Sequence, residues 1–218
     1  MSNPSPPNRC RIVLVAPTSE EAEVFGPRLL EAVAGGDVAS LIIPQHGDEA
    51  SFQAFAAPIV RIAQEAGLAA IIVDDTRVAG RVGADGVHIQ AGKEDLADAI
   101  ERWGGKLIVG AGGAASRDDA LELGELQPDY MFFGRPGFDT KPEPHPRNLA
   151  LGKWWAEMVE ISCIVQGGSD IASVEAIAAT GAEFVALSAA VFGEGIDPRE
   201  AVERANAILD RAAPRLEG

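Results

Sequence analysis

The stretch Gly83-Ala84-Asp85-Gly86-Val87-His88-Ile89 decides how the chain folds, because a near copy, Gly181-Ala182-Glu183-Phe184-Val185-Ala186-Leu187, returns further along. In each copy an amphipathic segment stops at a glycine, the residue for which a left-handed helix cap costs least. A small alanine follows, then an acidic residue, then a short apolar run. Weaker echoes, Gly67-Leu68-Ala69-Ala70 and Gln127-Pro128-Asp129-Tyr130, stand at junctions of the same kind. A joint repeated in this way marks a repeated helix-to-strand connection.

Working outward from the joints, short Val/Ile/Phe-rich runs predict strands over 11–16, 38–43, 69–73, 85–89, 106–110, 129–133, 161–165 and 183–188. Most are apolar throughout rather than alternating, the pattern of strands covered on both faces. Amphipathic segments between them predict helices over 19–34, 51–66, 76–82, 93–102, 116–124, 147–159, 170–180 and 197–213. The clearest starts are Asp197-Pro198 and Ser116-Arg117-Asp118-Asp119, with proline at the first helical position in the former. Eight strand–helix units in about 200 residues fit an α/β fold of the single-domain (β/α)8 TIM-barrel type, at the small end of its range. An open doubly wound sheet is the competing arrangement, and it usually carries a Gly-rich turn after its first strand. Here that strand leads into Pro17-Thr18-Ser19-Glu20, with no glycine. In a barrel the Gly-Ala-acid joints mark the N-terminal, stabilising face, so chemistry belongs at the opposite end of each strand.

Composition narrows the partners. The 218 residues carry a formal charge of −15, which argues against nucleic acid, because such binding needs a basic surface. An anionic ligand would need local positive potential from backbone N–H groups, a metal or a few cations. No apolar segment approaches the ~20 residues that span a bilayer. Cys10 and Cys163 form neither a disulfide framework nor a zinc spacing. The opening residues lack the pattern of a secretory signal, so the expected location is the cytoplasm. Residues 1–10 read as a flexible tail ahead of a barrel over 11–218. The sequence leaves the oligomeric state open, a homo-oligomer included.

The C-terminal strand ends hold the candidate site, since βα loops build the sites of such barrels. After strand 7 comes Gln166-Gly167-Gly168-Ser169-Asp170, and after strand 8 comes Ser188-Ala189-Ala190-Val191-Phe192-Gly193. These two loops are where barrels commonly hold a phosphate on backbone N–H groups, which makes Gly167, Gly168, Ser188 and Ala189 phosphate-binding candidates. Strand 3 ends in Asp74-Asp75-Thr76. The two carboxylates suit Mg²⁺, a hard cation that also bridges to substrate phosphates, and they equally suit the cap of the next helix. The loop after strand 6 is the longest. Arg135, Lys141, His145 and Arg147 give it a positive character against the acidic background, the profile of a lid that clamps a polyphosphate. His88 points from a strand and reads as a packed barrel residue, and Trp154-Trp155 reads as ordinary helix packing.

Taken together, GADGVHI, the acidic pair after strand 3, Thr140-Lys141, Gly167-Gly168, and Ser188 with Phe192 and Asp197-Pro198 resemble the thiamine-phosphate synthase superfamily, which includes related thiazole tautomerases. The likeness runs from about residue 11 to 210. It implies a transferase that couples a Mg²⁺-bound hydroxymethylpyrimidine pyrophosphate to a thiazole phosphate with release of pyrophosphate. By position, it implies that Asp75 and Asp95 bind the metal, with Asp74 beside them. Thr140 and Lys141 would grip the pyrophosphate, and Gly168 and Ser188 would hold the thiazole phosphate. It also implies small phosphorylated substrates as the partners.

The chain departs from the family's pattern at several points. After strand 2 the family carries Gln-x-Arg-x-Lys, whereas this chain reads Ile42-Ile43-Pro44-Gln45-His46-Gly47, with neither cation. Charge-assisted hydrogen bonds contribute about 1.5–3 kcal/mol each, so losing two weakens pyrophosphate binding by about 10²–10⁴-fold unless Arg135, Arg147 or Lys93 substitutes. Gln90-Ala91-Gly92-Lys93 carries a two-residue insertion ahead of Asp95. After strand 5, where the synthases have serine and the tautomerases histidine, the chain reads Gly110-Ala111-Gly112-Gly113. These departures keep two alternatives open: a barrel that binds a phosphorylated ligand without coupling it, and a tautomerase-like isomerase.

Overall fold

The computed structural model describes residues 7–214. Eight strands, β1 (Arg11–Val15), β2 (Val38–Ile43), β3 (Ala69–Val73), β4 (Gly86–Ile89), β5 (Ile108–Ala111), β6 (Tyr130–Phe133), β7 (Cys163–Gln166) and β8 (Phe184–Leu187), pair in sequence order into one closed parallel barrel. Around it lie α1 (Ala22–Ala34), α2 (Glu49–Glu65), α3 (Thr76–Val82), α4 (Lys93–Trp103), α5 (Arg117–Gly124), α6 (Pro146–Met158), α7 (Ser173–Ala178), α8 (Ala189–Phe192) and α9 (Pro198–Ala212). The (β/α)8 class expected from the repeated joints is the fold observed.

The joints act as anticipated and do more. Gly83 caps α3 at φ 68, ψ 38, and Gly181 stands at φ 84, both left-handed. Ala84 and Ala182 are buried behind them. Each acidic residue then accepts a backbone N–H from the preceding strand: Asp85 from Ala70 (2.8 Å), Asp129 from Val109 (2.7 Å), and Glu183 from Cys163 (2.8 Å). In the first two cases the acid's own N–H also donates to the carbonyl of that partner residue. The carboxylate therefore satisfies a strand N–H at the barrel floor that would otherwise lack a partner, and hydrogen bonds to charged groups are among the stronger ones.

The core has two layers. Between strands and helices lie Leu14, Phe25, Phe52, Ile72, Val87, Phe133, Trp155 and their neighbours. Inside the barrel lie Val13, Val15, Ile42, Ile71, Val73, Tyr130, Phe132, Ile164 and Ala186. Period-2 alternation sorts residues between the layers, so on β4 Val87 faces the helices while His88 stacks on Tyr130 and lies tilted against Phe132 inside.

Three expectations shift. Strands β5 and β7 begin two residues later than the apolar runs, because Lys106-Leu107 and Ile161-Ser162 complete the incoming turns. The segment after β8 folds into the one-turn helix α8, and α7 is shortened to Ser173–Ala178 by a turn over 169–172. Residues 1–6 of the expected tail lie outside the described residues. Its last two residues are not loose: Arg9 and Cys10 are buried, and Arg9 donates to Asp210, Asn206 and the Cys10 carbonyl, tying this segment to α9.

Candidate active site

All the candidate loops gather at the C-terminal mouth of the barrel. The β7 and β8 ends come together as expected, and their donors are already engaged. The Gly167 N–H bonds the Ala186 carbonyl at 2.8 Å, and the Gly168 N–H bonds Ser173 Oγ at 3.0 Å. The Ser188 and Ala189 N–H groups, at the entry to α8, both donate to Oδ2 of Asp139, at 3.1 and 2.6 Å. Asp139 lies in the loop between β6 and α6, one residue before Thr140-Lys141. It is 5% exposed, and burial raises its carboxyl pKa against the opposing pull of the N–H groups it accepts.

That loop crosses the mouth. Its Lys141 carbonyl accepts from Ser169 N–H (2.7 Å), and its Pro142 carbonyl from Asp170 N–H (3.3 Å). A Cβ on Gly168 would stand 2.0 Å from the Pro142 oxygen, so only glycine allows this approach. Toward the other side, Gly137 comes beside Pro44 of the β2–α2 segment, a stretch with no arginine or lysine. Among the described residues Arg135, Lys141 and Arg147 make no ion pair. Arg135 lies over the Phe138 ring at 3.9 Å. Lys141 and Arg147 are exposed at the mouth, the latter at the start of α6, where His145 Nδ1 accepts its N–H. Asp139 was not legible as a site residue. The one signal available was an acid directly before Thr140-Lys141 in a loop that carries Arg135, Lys141, His145 and Arg147.

The acidic candidates divide by role. Asp75 caps α3, its Oδ1 accepting from the Arg77 and Val78 N–H groups. Asp74 adopts φ 56 and accepts from Gln90 N–H at 2.7 Å, which braces the inserted β4–α4 segment. Asp74 and Asp95 line one cleft of about 630 Å³ between α3 and α4, with Asp98, Glu101 and Trp103. Among the described residues no three acidic, histidine or cysteine side chains form a closed metal cage. The acidic donors are carboxylate oxygens, with Arg102 and Thr76 lining the same cleft. That chemistry fits Mg²⁺, which usually takes one or two protein carboxylates and completes its shell with water and substrate oxygens.

The floor of the site is a stacked pair: His88, a packed barrel residue as its sequence position suggests, and Tyr130, which the sequence did not single out. His88 and Tyr130 lie parallel, 5.6 Å between centroids, and Tyr130 Oη meets His88 Nδ1 at 3.1 Å. Gly110 makes room for them: a Cβ there would stand 2.0 Å from the tyrosine ring. His88 Nε2 and Gln166 Oε1 are buried without a protein partner, two polar atoms left for a ligand or water at the mouth side.

Burial drives the His88 pKa down from 6.5 to about 3. In the unfolded chain the imidazole takes a proton below about 6.5, but in the fold it stays neutral to about 3. The unfolded state therefore binds more protons in that window, and stability falls as pH drops through it, by up to about 1.4 kcal/mol per pH unit. His88→Gln should flatten the slope of the urea midpoint between pH 6 and 4. An unchanged slope would show that His88 is protonated in the fold.

Comparison with known proteins decides the family. Residues 12–191 match the family model described as thiamine monophosphate synthase. The thiamine-phosphate synthase of Hyphomonas neptunium is 31% identical over 95% of this chain and 97% of its own length. The chain belongs to the thiamine monophosphate synthase family. The thiamine-phosphate synthase of Rhodospirillum centenum is similarly close, 32% identical over 92% of this chain and 98% of its own. The thiamine phosphate pyrophosphorylase of Pyrococcus furiosus superposes with a TM-score of 0.76 at 24% identity, covering 95% of this chain and 98% of that one, a likeness of fold.

Family membership makes the missing strand-2 cations a structural matter. His46 is packed against Phe52 and Phe55 at 5.6 and 4.8 Å, with Nδ1 3.3 Å from the Pro44 carbonyl. It is an aromatic packing group in this thiamine monophosphate synthase family member, and the β6–α6 loop carries Arg135, Lys141 and Arg147.

Proposed function

We propose that the protein is a transferase that couples hydroxymethylpyrimidine pyrophosphate to a thiazole phosphate and releases pyrophosphate. The observation that supports this reading best is convergence: Thr140-Lys141, Gly167-Gly168 and Ser188-Ala189 come from separate loops and meet at one mouth.

In this reading the C–O bond between the pyrimidine methylene and pyrophosphate breaks, and the electron pair leaves with the pyrophosphate. The thiazole nitrogen then supplies the pair that forms the new C–N bond. Lys141 and the Thr140 hydroxyl hold the departing pyrophosphate, where charge develops, and Arg135 and Arg147 add positive potential. The amides of Ser188 and Ala189 orient the thiazole phosphate beside Gly168, whose own N–H is held by Ser173 Oγ. The ring wall of His88, Tyr130 and Phe132 keeps water from the cation-like methylene, and His88, neutral across the physiological range, adds no repelling charge. Asp74 and Asp95, which line one cleft, or the second oxygen of Asp75 would hold Mg²⁺ with water and substrate oxygens completing its shell, and the ion would neutralise pyrophosphate charge when bound. Small phosphorylated substrates of a biosynthetic reaction support a cytoplasmic location. Separately, no helix among the described residues is long and apolar enough to cross a membrane.

Expression in a thiamine auxotroph lacking thiamine-phosphate synthase tests the reading in cells. Growth without thiamine is the expected result. Soluble, folded protein without growth would oppose it.

A further inference from the structure

We propose that the Asp139 carboxylate is an internal stand-in for substrate phosphate, so that filling the phosphate cup and lifting the β6–α6 loop are one event. The inference rests on the cup at Ser188-Ala189 being the phosphate site of the reading above, and it adds the device that controls entry.

Two amides from the entry to α8 converge on one carboxylate oxygen, the arrangement a phosphate oxygen would otherwise meet. Among the described residues Asp139 has no cationic partner, so its charge rests on backbone dipoles alone. A phosphate dianion and this carboxylate cannot share the cup, because like charges at hydrogen-bonding distance repel strongly at a buried site. The loop's remaining hold is polar too: the Lys141 and Pro142 carbonyls on Ser169 and Asp170 N–H. Its one large apolar side chain, Phe138, is 57% exposed and does not anchor it in the core. Lifting the loop therefore exchanges a few hydrogen bonds, and the only buried apolar side chains it carries among residues 134–145 are the small rings of Pro136 and Pro144. Thr140 and Lys141 follow Asp139 directly, so the same movement repositions their exposed side chains for the pyrophosphate. Binding of one substrate phosphate thereby arms the grip on the other.

A competitor held in place lowers apparent affinity by the fraction of molecules in which the site is open. Removing it should raise affinity for inorganic phosphate, measured by titration calorimetry on the full chain, by roughly tenfold or more. Asp139→Ala removes the competitor. Asp139→Asn keeps its shape, loses its charge and should give a smaller gain, which covers the case in which the alanine variant fails to fold. In the wild type, saturating phosphate should speed hydrogen exchange at the Ser169 and Asp170 amides, which lose their loop carbonyls, while Ser188 and Ala189 remain protected. Equal or weaker phosphate binding by the folded variants would overturn the proposal, as would no phosphate binding by any form. Coupling activity in the wild type without a phosphate gain in the variants would sink this inference alone. A phosphate gain without coupling activity would sink the synthase reading and leave the self-closed cup standing.

Discussion

Trp155→Ala is expected to lower the unfolding free energy by about 3–5 kcal/mol, the range for deleting a fully buried aromatic. Trp155 is 0% exposed and packs edge-on against Phe133 of β6 and against Trp154. Its ring fits because Gly124 has no side chain: a Cβ there would lie 2.7 Å from the indole. Its Nε1 donates to the Ile161 carbonyl at 2.6 Å, fixing the turn into β7, so the variant also loses the partner of that carbonyl. In a domain of this size the loss corresponds to a melting temperature lower by roughly 6–20 °C. A change below about 1 kcal/mol in urea unfolding would mean that α6 does not seat on β6 as described.

Lys141→Ala is expected to leave stability unchanged and to lower kcat/KM for the pyrimidine pyrophosphate by about 10–150-fold, the equivalent of one charge-assisted hydrogen bond. The structural contribution of this residue is its carbonyl, which holds Ser169 N–H and survives the substitution. Its ammonium is exposed and makes no ion pair among the described residues, so charge at the mouth is what the variant removes. With the strand-2 cations absent, no arginine or lysine of β2 compensates. Lys141→Arg should recover part of the rate. Full activity in the alanine variant, with intact folding, would move the pyrophosphate grip to Arg135, Arg147 or Lys93.

The barrel was legible because its cues are local. A left-handed glycine, a small residue and an acid recur at the floor, and apolar runs follow at strand length. The capping box at Ser116 and Asp119 and the Asp197-Pro198 start could also be read directly, since a cap acts within a few residues. The site was legible only as loops. The Asp139 contact to Ser188 and Ala189 joins residues about 50 positions apart, and no local pattern encodes it. Gly110, Tyr130 and His88 form one unit because the β4–β5 and β5–β6 registers bring them level, a consequence of barrel closure. Asp75 shows the limit differently. Its residue type suits both a cap and a metal ligand, and in the structure one oxygen caps α3 while the other has no hydrogen-bond partner among the described residues.

The account turns on coupling at the mouth of the barrel. Purified protein incubated with hydroxymethylpyrimidine pyrophosphate, thiazole phosphate and Mg²⁺ should form thiamine phosphate and release one equivalent of pyrophosphate, with neither product when any component is omitted. Folded protein that binds the thiazole phosphate yet gives no thiamine phosphate above background would contradict it.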